Sequence, residues 1–540
     1  MKIQGNIIDL FKKEVYKGYL EIEGNNIKDI VREENFEEKY IVAGLIDSHI
    51  HIESSMLIPS RFAEQAVKHG TVAVVSDPHE IANVMGISGV EFMIENGKDV
   101  PLKFYFGAPS CVPATEFENS GGEIGVEEVE DLLEKEEIKY LSEMMNFPGV
   151  VNEEREVMEK IKIAKEKGKP VDGHAPGLRG ESLEKYIQVG ISTDHESLSL
   201  EEAREKLEKG MKIQIREGSA ARSLDSMHYL IAESVESLML CSDDLHPEML
   251  EKGHINLLVK RLLTMGYDIF DILKVVIINP IKHYDLDVGM LRKGDKADFI
   301  VINNPVDFKI LETWIEGEKV YDGKKVNFES PPVKKVNNFK SGIVKHGDIE
   351  VRSKKGRLRV IEAYDGELVT GTYEWTVSTE DEMLVGNVEE DILKIVVKDR
   401  YNDSEPSVAF VKGFGLKRGA FASSVAHDSH NIIAVGADDT SICNAVNRIV
   451  EMKGGLVVCN NDKCKEIPLE IGGIMSDVPC GTMAENYKKL TDIVQDMGCK
   501  LKSPFMTLSF MALLVIPELK LSDRGLFDGN KFEFVDLYMI

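Results

Sequence analysis

The chain has little of what membranes, nucleic acids or oxidising compartments select for. No apolar run approaches the ~20 residues that a membrane-spanning helix needs. The N-terminus, Met1-Lys-Ile-Gln-Gly, carries no apolar signal core, so a cytoplasmic protein is expected. Positive charge is scarce: 65 lysines and arginines face 93 aspartates and glutamates, for a net charge of −28. That balance disfavours a broad phosphate-binding surface and argues against nucleic acid or anionic membrane as partners. Cysteine is sparse too. Seven residues, an odd number in a long chain, argue for free thiols rather than a secreted disulfide framework. The closest pair stands in Cys459-Asn-Asn-Asp-Lys-Cys464, followed only by Cys480 and Cys499, which disfavours a structural zinc. No Gly-x-Gly-x-x-Gly follows the first strand, so a dinucleotide-binding sheet loses support.

What is present is an ordinary globular composition, 43% hydrophobic and 29% charged, in 540 residues, too many for one core. Two to four domains are expected. From about residue 40 to 287, short apolar runs at 42–46, 71–75, 102–106, 138–141, 170–174, 190–195, 212–215 and 237–241 alternate with charged segments of helical period, such as 153–167 and 200–209. Strand then helix, repeated eight times, predicts an α/β fold with a (β/α)8 barrel over 41–287. A doubly wound open sheet is the alternative.

A barrel places functional residues at the C-terminal ends of its strands. There the sequence has His49 and His51 after the first strand, Glu143 after the fourth, His174 after the fifth, His195 after the sixth and Asp243 after the eighth. In Tyr40-Ile-Val-Ala-Gly-Leu-Ile-Asp-Ser-His49-Ile-His51 the period of two puts both imidazoles on one side of the strand. Singly, each histidine would more often be structural or solvated; four histidines and two carboxylates at the ends of five strands point to metal. The ligand types suit zinc, manganese or ferrous iron better than calcium or magnesium. Six ligands exceed the need of one catalytic ion with an open position, so two ions bridged by Glu143 are expected. Asp243 is placed to accept a proton from a water held between them, the outline of a hydrolytic site.

His49-Ile-His51, the histidines of the fifth and sixth strands and the aspartate of the eighth resemble the amidohydrolase superfamily. Residues 1–40 and 288–330 resemble the small β-sandwich that its members build from both barrel flanks. Ser76-Asp-Pro-His-Glu-Ile-Ala-Asn-Val, Asp172-Gly-His-Ala-Pro-Gly, Arg216-Glu-Gly-Ser and Gly419-Ala-Phe-Ala-Ser-Ser-Val-Ala-His427-Asp-Ser-His430-Asn are similar to the metal-dependent adenine deaminase family of bacteria and archaea. The resemblance spans essentially the whole chain. It implies conversion of adenine to hypoxanthine and ammonia, as in purine salvage, by a binuclear centre of manganese or iron, with zinc as a further option. Asp243 would then shuttle a proton from water to the leaving amine, and Glu80, Glu217 or His79 would hold or protonate a ring nitrogen. Asp244, beside the ligand Asp243, is a candidate substrate contact. A related cyclic-amide or amidine hydrolase and a non-catalytic scaffold are the other readings; the filled ligand positions disfavour the scaffold. Lys139 lies early in its strand, which favours Glu143 over a carboxylated lysine as the bridge. His51-Ile-Glu53 mimics half of the zinc nucleobase-deaminase signature, but Pro479-Cys480-Gly-Thr-Met lacks the second cysteine.

Pro331-Pro332-Val-Lys-Lys-Val-Asn-Asn reads as a linker to an α+β domain over 335–540, with strands at Leu358 and Ile395 and a helix from Ser441 to Met452. Its His427 and His430 suggest a metal site, a solvated turn, or, as the preferred expectation, a loop that completes the substrate pocket. A homodimer is the default assembly.

Overall fold

The computed structural model describes residues 1–34, 37–219, 221–379 and 382–539. Its central element is a closed ring of eight parallel strands, read from runs rich in valine and isoleucine that are buried on both faces. Leu45–His51 is followed by Thr71–Ser76, Lys103–Ala108, Ile138–Met144 and Val171–Gly173 in neighbouring order. Thr193–Asp194, Lys212–Arg216 and Leu238–Cys241 form the other arc. A bridge from Val171 to Ile191 joins the arcs at one seam, and Asp243 and Asp244 pair with Ile50 and His51 at the other. The fifth and sixth strands are short, so His174 and His195 stand just past their last paired residues. Gly44 precedes the first strand because a Cβ there would lie 2.3 Å from Val72 Cγ1.

Asp47 clasps the second seam. Its fully buried carboxylate accepts hydrogen bonds from the Ser242 amide (3.0 Å), the Ser242 hydroxyl, the His49 amide (3.3 Å) and His254 Nε2 (2.7 Å). His254 Nδ1 in turn meets the Thr71 hydroxyl at 2.7 Å. The first, second and eighth strands are thereby held by one polar network inside an apolar core.

Both barrel flanks enter a single seven-stranded sheet, in which Tyr40–Ala43 lies between Lys2–Asp9 and Phe299–Ile302. The sheet folds over until Asn26 bridges Lys296. The C-terminal part is a nine-stranded, mainly antiparallel sheet with helices Asp439–Met452 and Cys480–Asp496 packed on it, plus a small three-stranded sheet. Here one expectation is corrected. Cys459 and Cys464 form a disulfide, because they face each other in the hairpin of Gly455–Asn460 and Lys463–Pro468. The other five cysteines are unpaired and buried. Among the described residues no helix is long and apolar enough to cross a membrane.

Replacing Asp47 with alanine strands two amide donors and a histidine in the core. In protein held free of metal by chelator, the first thermal transition should fall by an amount corresponding to about 3 kcal/mol. An unshifted transition by calorimetry would show that the barrel closes without this clasp.

Candidate metal centre

The paired registers carry all six expected ligand residues to one end of the ring. His49 Nε2 and His51 Nε2 approach to 3.2 Å, with Asp243 Oδ1 at 3.6 and 3.2 Å from them. Glu143 is the common neighbour. Its Oε2 lies 2.9 Å from His174 Nδ1, 2.9 Å from His195 Nε2 and 4.0 Å from His49 Nε2, and its Oε1 lies 3.6 Å from His51 Nε2. Asp243 reaches this cluster with a left-handed φ of 56°, a conformation that aspartate adopts more readily than most non-glycine residues. His51 Nδ1 donates to the Asp77 carbonyl at 3.2 Å, which fixes the ring with its Nε2 turned toward the cluster.

Charge dominates this site. Burial opposes ionisation of Glu143, but His174 and His195 outweigh it and hold its pKa well below the usual carboxylate range. Burial likewise opposes ionisation of Asp243, and Arg216, His49 and His51 overcome it. Burial would lower the pKa of His195, yet Glu143 raises it to about 9. The lining is thus short of positive charge, and protons on imidazoles fill the deficit.

A divalent ion fits the donor set. Ligand atoms of His49, His195 and Asp243 lie within 4.8 Å of one another, as do those of Glu143, His174 and His195. His174 Nδ1 and His195 Nε2 face Glu143, while the opposite nitrogens, His174 Nε2 and His195 Nδ1, are buried with no hydrogen-bond partner among the described residues. Oxygen and imidazole donors of this kind are what zinc, manganese and ferrous iron accept.

The remaining candidates are sorted by what they touch. His79 Nδ1 pairs with Asp77 at 3.0 Å and lies 3.6 Å from Glu143 Oε1, so it borders the cluster. Glu80 turns to the C-terminal domain, where His427 Nδ1 and His430 Nε2 both contact its carboxylate. Asp244 accepts from the Ser54 hydroxyl near Glu80 and His427. Glu217 is not at the site. Its carboxylate pairs with Arg261 and accepts from the Leu224 amide at 3.3 Å, because the chain turns outward after Arg216.

Sequence reasoning missed Arg216 and Glu196. The Arg216 guanidinium contacts both Asp243 and Glu196, and all three are buried. The signal was available: an arginine ending an apolar barrel strand must find carboxylates at the mouth. Leu368, Phe510, Leu513 and Val515 of the C-terminal domain roof the cluster, leaving a cavity of about 30 Å³. A vestibule of about 740 Å³ adjoins it and shares His195, Glu196 and Arg216.

Comparison with known proteins fits this geometry. Residues 40–320 match the Amidohydrolase family, and residues 367–533 match the Adenine deaminase C-terminal domain. The adenine deaminase of Methanosarcina mazei is 50% identical, covering 99% of each chain, and that of Salinibacter ruber is 49% identical with the same coverage. The chain belongs to the adenine deaminase family of amidohydrolases. Membership accounts for the barrel with its flanking sheet and implies a divalent metal, for which the clustered residues are candidate groups.

The raised pKa of His195 gives this family member a testable signature. A metal at Nε2 must displace the proton held there below about pH 9. Metal affinity, measured by chelator competition, should therefore rise with pH from 7 to 9, by up to about tenfold per unit for one proton displaced, and level off above. A flat profile would mean that no proton leaves when the ion binds.

Proposed function

We propose that this centre hydrolyses adenine to hypoxanthine and ammonia. The observation that carries the reading is the cluster of four histidines and two carboxylates at strand ends, in a chain half identical over its whole length to proteins named adenine deaminase. Two ions, manganese or ferrous iron with zinc as an alternative, would be held by His49, His51, Glu143, His174, His195 and Asp243. When bound, such ions supply Lewis acidity that lowers the pKa of water and stabilises charge developing on the ring.

The chain's own groups do the rest. Arg216 engages Asp243 Oδ2, so Oδ1 is the oxygen available to take a proton from the attacking water. The same oxygen returns that proton to the amine, which leaves as ammonia. Glu196 shares the guanidinium and fixes its direction. The apolar roof keeps bulk water from the reacting carbon and strengthens each electrostatic contact beneath it. Purine enters through the vestibule, since the inner cavity of about 30 Å³ holds little more than one water until a roof side chain such as Leu368 moves. The division into 1–40 with 288–330, 41–287 and 335–540, a role in purine salvage, a cytoplasmic location and a homodimer belong to the same proposal.

Ammonia release from adenine, with metal content read on the same sample loaded with manganese or ferrous iron, tests it. Turnover with about two ions per chain is expected. Two ions without turnover would move the substrate to another cyclic amide or amidine. Neither ions nor turnover would reject the reading.

A further inference from the structure

The carboxylates around the inner cavity differ in whether their oxygens are already used. Asp243 and Glu196 share Arg216. Glu80 receives both His427 and His430. Asp244 receives Ser54, and Glu143 receives His174 and His195. Asp428 is the exception. It lines the inner cavity from the C-terminal domain, is 4% exposed, and its Oδ2 has no hydrogen-bond partner among the described residues. Its nearest cation is His79, whose Nε2 is 3.9 Å from Oδ1, too far for a hydrogen bond. Buried acceptors are almost always satisfied, and an unmet one at the wall of a cavity points to a donor supplied by what enters.

The position is fixed from both sides. His427 and His430 flank Asp428 and are both latched to Glu80 of the barrel, and the His427 ring stacks on Phe510 at 5.4 Å. The loop therefore holds this carboxylate over the metal cluster, with His79 between it and Glu143. The inner cavity of about 30 Å³ is lined by both this cluster and Asp428, so a carbon held at the cluster has its substituent inside the same enclosure.

Resting on the reading that adenine is the substrate, we propose that Asp428 accepts a hydrogen bond from the exocyclic amine and so distinguishes substrate from product. Adenine offers an N–H donor at C6; hypoxanthine offers an oxygen there. A carboxylate attracts the first and repels the second, which favours substrate entry and product release from one contact.

Two variants test this on the metal-loaded full chain. Asp428→Ala should lower kcat/KM for adenine about 10- to 100-fold, the loss expected for a hydrogen bond to a charged group, while bound metal is unchanged. Inhibition by hypoxanthine should stay within about threefold or tighten. Asp428→Asn keeps the size, so it decides if the alanine variant does not fold. Its amide can donate to the product oxygen, so adenine should bind more weakly and hypoxanthine more tightly. Kinetics unchanged in both variants, or equal weakening of adenine and hypoxanthine, would overturn the proposal. Wild-type protein that does not deaminate adenine would instead overturn the activity on which it rests.

Discussion

Glu143 sets the terms for the barrel mouth. Its carboxylate is buried and lies 2.9 to 4.0 Å from one nitrogen of each of five histidines. A charge at that depth is costly unless cations surround it. Imidazoles supply that compensation only by keeping protons; a divalent ion supplies it and leaves them neutral. Asp243 and Glu196 repeat the condition around Arg216, two carboxylates to one guanidinium. The excess of negative charge is therefore a property of the whole mouth, and it makes the site a cation trap before any ligand distance is considered.

That trap exists only if the first and eighth strands meet in register. Asp243 pairs with Ile50 and Asp244 with His51, and Asp47 ties Ser242 and His254 to the same seam. A slip of one residue would turn His49 and His51 away from the mouth, because strand side chains alternate. The polar clasp in the core thus specifies register as well as contributing stability.

Much of this was legible in the sequence, for physical reasons. Parallel strands buried on both faces give apolar runs, and a barrel gathers the residues at the ends of those runs, so the convergence of His49, His51, Glu143, His174, His195 and Asp243 could be read from position. Residues that act through contacts across the chain were not accessible this way. Glu217 follows its strand as Glu143 does, yet the turn after Arg216 directs it to Arg261. Arg216 itself ranked as part of a motif because its partners, Glu196 and Asp243, stand 20 and 27 residues away. The Cys459–Cys464 disulfide followed from a hairpin register that cysteine counting cannot supply. Glu80 looked like a catalytic candidate at a strand end, and only the folded chain brings His427 and His430 to it across 347 and 350 residues.

That long-range latch explains why the appended domain matters to chemistry in the barrel. The strand ends are largely committed to ligands and to the groups that orient them, which leaves little lining to recognise a small planar base. The C-terminal domain supplies what is missing: apolar side chains at Phe510, Leu513 and Val515 that exclude water, and polar groups on a loop anchored through Glu80. Recognition and reaction are then separated in sequence but joined through one carboxylate. Loosening that carboxylate would disturb the roof without removing a ligand, so the selectivity of the pocket and the integrity of the metal cluster rest on different residues of the same wall.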